Sequence, residues 1–223
     1  MIQDDVFFQD EGDAWFCRNR KVLNKNRSMD WPLMALEWLG NAFQLKSVIE
    51  LGCSNGWRLA KLADRITGRL VGIDASAQAI ANGKESWPAL DLRQGLLSNL
   101  PVDETFDVVI VNFVLHWVDR KKLAGSIAEI DRVTADNGIL LLGDFLPDYC
   151  ARRRYHHRPE LDMYTYKQDY PAIFESLGTY KTISRFSFDH DHPSSSLSLC
   201  SGDTRGMISI LHKSLDRFYV EVT

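Results

Sequence analysis

Val48-Ile49-Glu50-Leu51-Gly52-Cys53-Ser54-Asn55-Gly56 is the stretch on which the reading of this chain turns. A short apolar, β-prone run carrying one acid ends in a glycine-bearing turn. A helix-like segment follows, with Leu59, Leu62, Ala63 and Ile66 on one face, and then a second apolar run, Leu70-Val71-Gly72-Ile73, closed by Asp74. A strand, a tight turn at a helix start and an acid about 20 residues on is an arrangement that holds a nucleotide. Glycine lets the backbone come close to a ligand, and the unpaired N–H groups of the helix start face it. An acid at the tip of the second strand accepts from both ribose hydroxyls.

The spacing discriminates among nucleotides. A dinucleotide fold wants G-x-G-x-x-G, but counting from Gly52 puts Ser54 and Trp57 where the second and third glycines belong. The phosphate-cradling G-x-x-x-x-G-K-[ST] is absent. The segment resembles the E/D-x-G-x-G-x-G signature of class I S-adenosylmethionine-dependent methyltransferases, with Ser54 in place of the middle glycine. That cofactor has no phosphate, so the turn has only to admit a ribose and an amino-acid tail, whose carboxylate suits a helix N-terminus.

Three later segments continue the resemblance in the same order. Phe106-Asp107-Val108-Val109-Ile110-Val111-Asn112 reads as a buried parallel strand, being almost continuously apolar. Val114-Leu115-His116-Trp117-Val118 follows, similar to the family's F-D-x-V-x-x-x-x-x-L-H segment. Leu123, Ile127, Ile130 and Val133 repeat at helical spacing, and Asp136-Asn137-Gly138 supplies a turn before Ile139-Leu140-Leu141-Leu142. The stretch from Arg132 to Leu140 is similar in outline to the family's R-V-L-x-P-G-G-x-L. The resemblance covers roughly residues 45–150. It implies an α/β, Rossmann-like, seven-stranded sheet, mostly parallel with one antiparallel strand, helices on both faces and an N-terminal helical extension.

Composition is that of an ordinary globular chain: 223 residues, 45% hydrophobic and 25% charged, which suits one domain with a sizeable core. A net charge of -4 argues against nonspecific nucleic-acid binding. Cys17, Cys53, Cys150 and Cys200 are scattered without a C-x-x-C pair, so neither a zinc site nor a disulfide framework is expected. The acidic start, Met1-Ile2-Gln3-Asp4-Asp5, lacks the features of a signal peptide, and no apolar stretch approaches the ~20 residues of a membrane helix. A cytoplasmic protein without membrane insertion is the expectation.

Within that single domain, residues 1–45 are expected to form a helical cap, 46–146 the cofactor-binding core, 147–180 a substrate-side insertion, and 181–223 a C-terminal hairpin and tail. Asp30 is placed to cap a helix bearing Trp31, Met34, Ala35, Trp38 and Leu39 on one face, stopped by Gly40. Trp15-Phe16-Cys17-Arg18-Asn19-Arg20 either packs on the sheet or closes over the ligand as a lid. Thr182–Phe188 and Met207–Leu211 read as an antiparallel hairpin joined by a Ser-rich loop. Phe218–Val222 alternates and reads as either an edge strand or a disordered tail.

The resemblance also distributes roles. Gly52, Ser54 and Gly56 are expected at the methionine end of S-adenosylmethionine, with Glu50 steering its amino group. Asp74 is expected to hold the ribose, with Ala75 and Ser76 beside the adenine. Leu96 stands where many members carry an acid toward the adenine amine, which leaves that task to backbone groups or Gln94. Asn112 is expected near the sulfonium. For the acceptor, His116 follows the fourth strand on the side where open α/β sheets bind ligands. Histidine as a residue type suits a base, with packing as the competing role.

Arg152-Arg153-Arg154-Tyr155-His156-His157-Arg158 reads either as a solvated charged helix face or as acceptor-binding surface, with His156 and His157 as candidate catalytic groups. Asp144, Tyr155, Tyr166 and Lys167 are the expected substrate contacts. This mixture suits a small polar acceptor such as a sugar, a nucleotide sugar or a related metabolite. The Trp-Phe-x-Arg-Asn start and Tyr166-Lys167-Gln168-Asp169-Tyr170 are also similar to a methyltransferase branch linked with surface glycans and modified sugars. Asp189-His190-Asp191-His192 has metal-binding residue types, but adjacent ligands on a loop rarely build a catalytic site, so no metal is expected.

Other classes fit less well. A base-amine nucleic-acid methyltransferase would carry N/D-P-P-Y/F after the fourth strand, where this chain has Asn112-Phe113-Val114-Leu115. Protein arginine methylation usually places two glutamates there. A nicotinamide oxidoreductase conflicts with the glycine spacing. A noncatalytic adenosylmethionine-binding partner or regulatory subunit is the alternative, since Ser54 and Leu96 depart from the signature. The expected partners are a small-molecule substrate and no nucleic acid, with a homodimer as a possible assembly.

Overall fold

The computed structural model describes residues 2–23, 29–40, 46–66, 68–192 and 201–222. It begins with α1 (Gln3–Val6), a π-helical turn (Phe7–Glu11), α2 (Gly12–Leu23) and α3 (Trp31–Leu39). Then come β1 (Ser47–Leu51), α4 (Trp57–Leu62), β2 (Arg69–Asp74), α5 (Ala77–Ser86), β3 (Asp91–Gln94) and β4 (Phe106–Asn112). After a 3₁₀ turn (Leu115–Trp117), α6 (Leu123–Val133) leads into β5 (Thr134–Phe145). A hairpin of β6 (Ala151–Arg154) and β7 (Tyr164–Lys167), then α7 (Pro171–Ser176), β8 (Tyr180–Asp189) and β9 (Arg205–Lys213), complete it.

Seven strands form one sheet in the order β3-β2-β1-β4-β5-β9-β8. β1 pairs in parallel with β2 and β4, and β9 alone runs antiparallel, against both β5 and β8. This is the expected sheet. Strand residues alternate between its faces. Ile49, Val71, Val109 and Leu140 pack against Ile127 and Ile130 of α6 and Phe174 of α7. Val48, Leu70, Val108 and Leu141 pack against Leu36 of α3, Leu59 of α4 and Ile80 of α5. Burial on both faces is why the central strands read as unbroken apolar runs. Chain order reverses between β1 and β4, which opens a crevice at their carboxyl ends.

Local readings fare unevenly. Asp30 does cap α3, accepting from Leu33 N at 3.0 Å. The buried face of α3, however, is Pro32, Ala35, Leu36 and Leu39, while Met34 and Trp38 are exposed; helical spacing shows a stripe but not which edge of it meets the sheet. α4 is shorter than its pattern, ending at Leu62, and Ala63 is exposed. The turn at Asp136–Gly138 is an irregularity inside β5, with Asn137 at φ 60°, between the Phe106–Thr134 and Val108–Ile139 pairings. The run at 151–154 is a strand, so the solvated-helix reading fails: β6 pairs with β7, Arg153 opposite Thr165. The tail at 218–222 joins no strand among the described residues. The Ser-rich connection and Cys200 lie outside the described residues.

Among the described residues, no helix is long and apolar enough to cross a membrane.

Candidate functional site

A cleft of about 630 Å³ lies over the carboxyl ends of β1, β2 and β4. That volume is in the range of small-molecule sites. The turn after β1 builds its floor. Gly52 (φ 78°) and Gly56 (φ 77°) are left-handed, as is Ser54 (φ 53°), so the backbone curls tightly before α4. A Cβ at Gly52 would meet Val114 Cγ2 at 2.2 Å, so glycine lets the loop after β4 pack directly on this turn. Gly52 N and Cys53 N both donate to Ile73 O, at 2.7 and 3.0 Å, stitching the turn to the end of β2.

Asp74 completes the floor. One carboxylate oxygen accepts from Ser54 N at 2.7 Å and the other from Ser76 N at 2.8 Å, so the side chain is aimed and each oxygen keeps a lone pair. Burial raises its pKa, opposed by these two backbone donors. Ser76 then caps α5, accepting from Ala79 N at 2.9 Å. Glu50, Gly52, Ser54, Asp74, Ala75, Leu96 and Asn112 all line the cleft, whereas Gly56 sits behind the turn as the N-cap of α4. Gln94 does not line it; its amide donates to Ala75 O at 2.9 Å and props the loop from outside.

Sequence reasoning missed a buried ion triad beneath the turn. Arg58 is 6% exposed, donates to both oxygens of Asp30 at 2.9 and 3.0 Å, and is ion-paired with Glu50. Burial pushes Glu50 up to about 7; Arg58 pulls it down and Asp30 opposes that pull. The Arg58 guanidinium is held charged because its two carboxylate neighbours outweigh burial. One cation thus serves two acids, and Glu50 Oε2 is buried without a hydrogen-bond partner among the described residues, as is Ser54 Oγ. The available signal was an arginine in an otherwise apolar helix stripe.

At the far end, His116 and Asp144 form a pair. His116 Nδ1 lies 2.9 Å from Asp144 Oδ1, and His116 N donates to Asp144 Oδ2 at 3.2 Å. Asp144 also accepts from Phe145 N at 2.8 Å and is fully buried. The expectation that Asp144 touches the acceptor is therefore corrected: its oxygens are spent on orienting His116. His116 lines the cleft, and its Nε2 makes no hydrogen bond among the described residues.

The insertion divides. Lys167 and His156 line the cleft; His157 and Tyr166 do not. Tyr166 lies under the Arg120 guanidinium, 4.2 Å from its ring centre. Tyr155 is corrected in the same way. It is buried, and its hydroxyl donates to Glu11 at 2.6 Å and accepts from Arg18 at 2.9 Å, which clamps α2 to the hairpin. His190, considered in the sequence only as a metal-binding residue type, lines the cleft with its ring 4.6 Å from Phe113 and 4.9 Å from Phe145. The described residues contain no group of three or more potential metal ligands.

The N-terminal segment closes one wall. Asp4, Phe7, Gly12, Trp15, Asn19 and Leu23 line the cleft. Gln3 bridges Trp117 O and Tyr164 O at 2.6 and 2.8 Å, Asp4 accepts from Asp119 N at 2.6 Å, and Asp13 accepts from Ser76 Oγ at 2.6 Å.

Comparison with known proteins bears on this geometry. Residues 49–142 match the family described as "Methyltransferase domain". A protein of Mycolicibacterium smegmatis named as a probable S-adenosylmethionine-dependent methyltransferase is 30% identical over 99 residues, 44% of this chain and 37% of that protein. An uncharacterized methyltransferase of Synechocystis is 33% identical over 100 residues, 44% of this chain and 47% of that protein. The matched stretches cover 37%, 29% and 53% of the first three curated relatives' own lengths. The 1,6-didemethyltoxoflavin-N1-methyltransferase of Burkholderia thailandensis, solved with that compound and S-adenosylhomocysteine, superposes with a TM-score of 0.69 at 15% identity, over 94% of this chain and 88% of that one.

Proposed function

Residues 49–142 are a methyltransferase domain of the class I S-adenosylmethionine-dependent family, and from that premise we propose that the chain transfers a methyl group to a small polar acceptor. The observation that carries the reading is the left-handed glycine turn lining the cleft at Gly52, with Asp74 aimed beside it. The cofactor supplies an activated methyl on a good leaving group. The chain's residues fit it. Asp74 offers lone pairs for ribose hydroxyls, and Ala75 and Leu96 offer apolar contact for adenine. Glu50 Oε2 and Ser54 Oγ, buried and unpartnered, offer acceptors to the amino-acid tail, with Asn112 nearer β4.

The protein's remaining tasks are alignment and proton removal. Asp144 fixes the tautomer of His116 by accepting at Nδ1, which leaves the Nε2 lone pair for an acceptor hydroxyl or amine. Trp117, Phe113 and Phe145 wall the acceptor end and exclude water there, while Lys167 and His156 offer polar contacts. A sugar or nucleotide sugar accords with that mixture of aromatic and hydrogen-bonding surface.

Calorimetry tests the cofactor reading directly. S-adenosylhomocysteine is expected to bind and NADH is not. Asp74→Ala is expected to weaken S-adenosylhomocysteine by about 1–3 kcal/mol, the range for leaving buried partners unpaired. Unchanged affinity in that variant would remove Asp74 from the site.

A further inference from the structure

Lys167 is a buried cation that forms no ion pair among the described residues, with the carboxylates of Asp203, Asp191 and Asp144 acting on it only from a distance. Its residue is 8% exposed, and among the described residues no Asp or Glu oxygen lies within the 4.0 Å of an ion pair. Nζ donates once, to Asp203 O at 2.5 Å, and stands 3.9 Å from the centre of the Phe145 ring. An ammonium has three donors, so two are left at a surface that lines the cleft. The neighbouring cations differ. Arg153 is paired with Asp203, Arg154 lies 3.6 Å from Asp162, and Arg58 is matched by Asp30 and Glu50. Asp144, the buried acid at this end, is committed to His116 and Phe145 N.

Burying an ammonium with one hydrogen bond and one ring face leaves much of its hydration unreplaced. Such a group persists where a ligand completes it. We infer that the acceptor carries an anionic oxygen group, a carboxylate or a phosphate, seated on Lys167. His116 and Lys167 both contact the Phe145 ring, His116 at 5.2 Å between ring centres, so the anion and the base are close enough to address one small molecule. The inference rests on the methyltransferase reading and narrows its substrate from polar to acidic.

The test is titration calorimetry on protein saturated with S-adenosylhomocysteine, using D-glucuronate, D-glucose 6-phosphate and D-glucose. At least one anion is expected to bind ten times more tightly than glucose, and which one does so identifies the group as carboxylate or phosphate. Lys167→Met should abolish that preference and Lys167→Arg should keep most of it, with S-adenosylhomocysteine affinity unchanged in both as the check that the cleft is intact. Anions binding no better than glucose, or a preference surviving in Lys167→Met, overturns the assignment and leaves Lys167 a tether between β7 and Asp203. Should S-adenosylhomocysteine itself fail to bind the unaltered protein, it is the underlying methyltransferase reading that falls.

Discussion

Glu50 is one of two acids sharing a single guanidinium, and its second oxygen has no hydrogen-bond partner among the described residues. Its folded pKa, raised by burial from 4.5 to about 7, means that the folded protein holds this proton more tightly than the unfolded chain. The contribution to stability is therefore largest below about pH 4.5 and is lost as pH rises toward 7. A cationic amino group on a ligand reverses the preference, since it favours the ionised carboxylate. Affinity for S-adenosylhomocysteine should rise between about pH 6 and pH 8, with proton release on binding, and Glu50→Gln should flatten that dependence. Calorimetry in buffers of different ionisation enthalpy reads both effects. His116→Ala is expected to lower kcat by about 10²–10⁴ while sparing cofactor affinity. Asp144→Asn should do the same in part, because an amide can leave the imidazole in the wrong tautomer. Turnover equal to that of the unaltered protein in both variants would return His116 to a packing role.

At the scale of elements, α3 and α4 are tied through one arginine. Asp30 caps α3 with one oxygen and uses both to hold Arg58 of α4, so its loss removes a cap and unbalances a buried pair together. Asp30→Ala is expected to destabilise the fold by about 3–5 kcal/mol, as for breaking a buried ion pair. Ser76→Ala, which removes the α5 cap, is expected to cost about 1 kcal/mol. Urea unfolding of the two variants separates these sizes, and equal shifts would contradict the shared role of Asp30. Elements were legible wherever a pattern repeated: β1, β2, β4, α6 and the β8–β9 hairpin follow from apolar runs and helical spacing. β6 was not, because an arginine run carries no periodicity and its strand state comes from pairing with β7.

Over the whole molecule, residues 3–23 strap across the cleft and are pinned at separate points. Gln3 and Asp4 hold the 3₁₀ turn region and β7, Asp13 holds α5, and Glu11 with Arg18 clamps Tyr155 of the hairpin. Because Phe7, Trp15 and Leu23 line the cleft beside Ser54 and Asp74, a ligand there would be covered by this strap. Hydrogen exchange should accordingly slow across residues 3–23 when S-adenosylhomocysteine is added, and more than it slows in β8 and β9. Equal protection in both regions would mean that the strap is only packed on the sheet.

Chain chemistry alone marked the apolar strands, the glycine turn and Asp74 as a candidate, because strands, turns and helix starts are dictated by neighbours within a few positions, while the order of the sheet followed from the family resemblance. It also marked His116. What it could not assign were partners across the sequence: Asp144 with His116, Asp30 and Glu50 on Arg58, Tyr155 on Glu11, and a lysine without an ion-paired acid among the described residues. Those pairings join residues up to 144 positions apart, and their consequences come from burial. Exclusion of water turns a modest attraction into a fixed orientation and makes an unpaired charge costly. Only the folded chain decides which groups are shut away from solvent together.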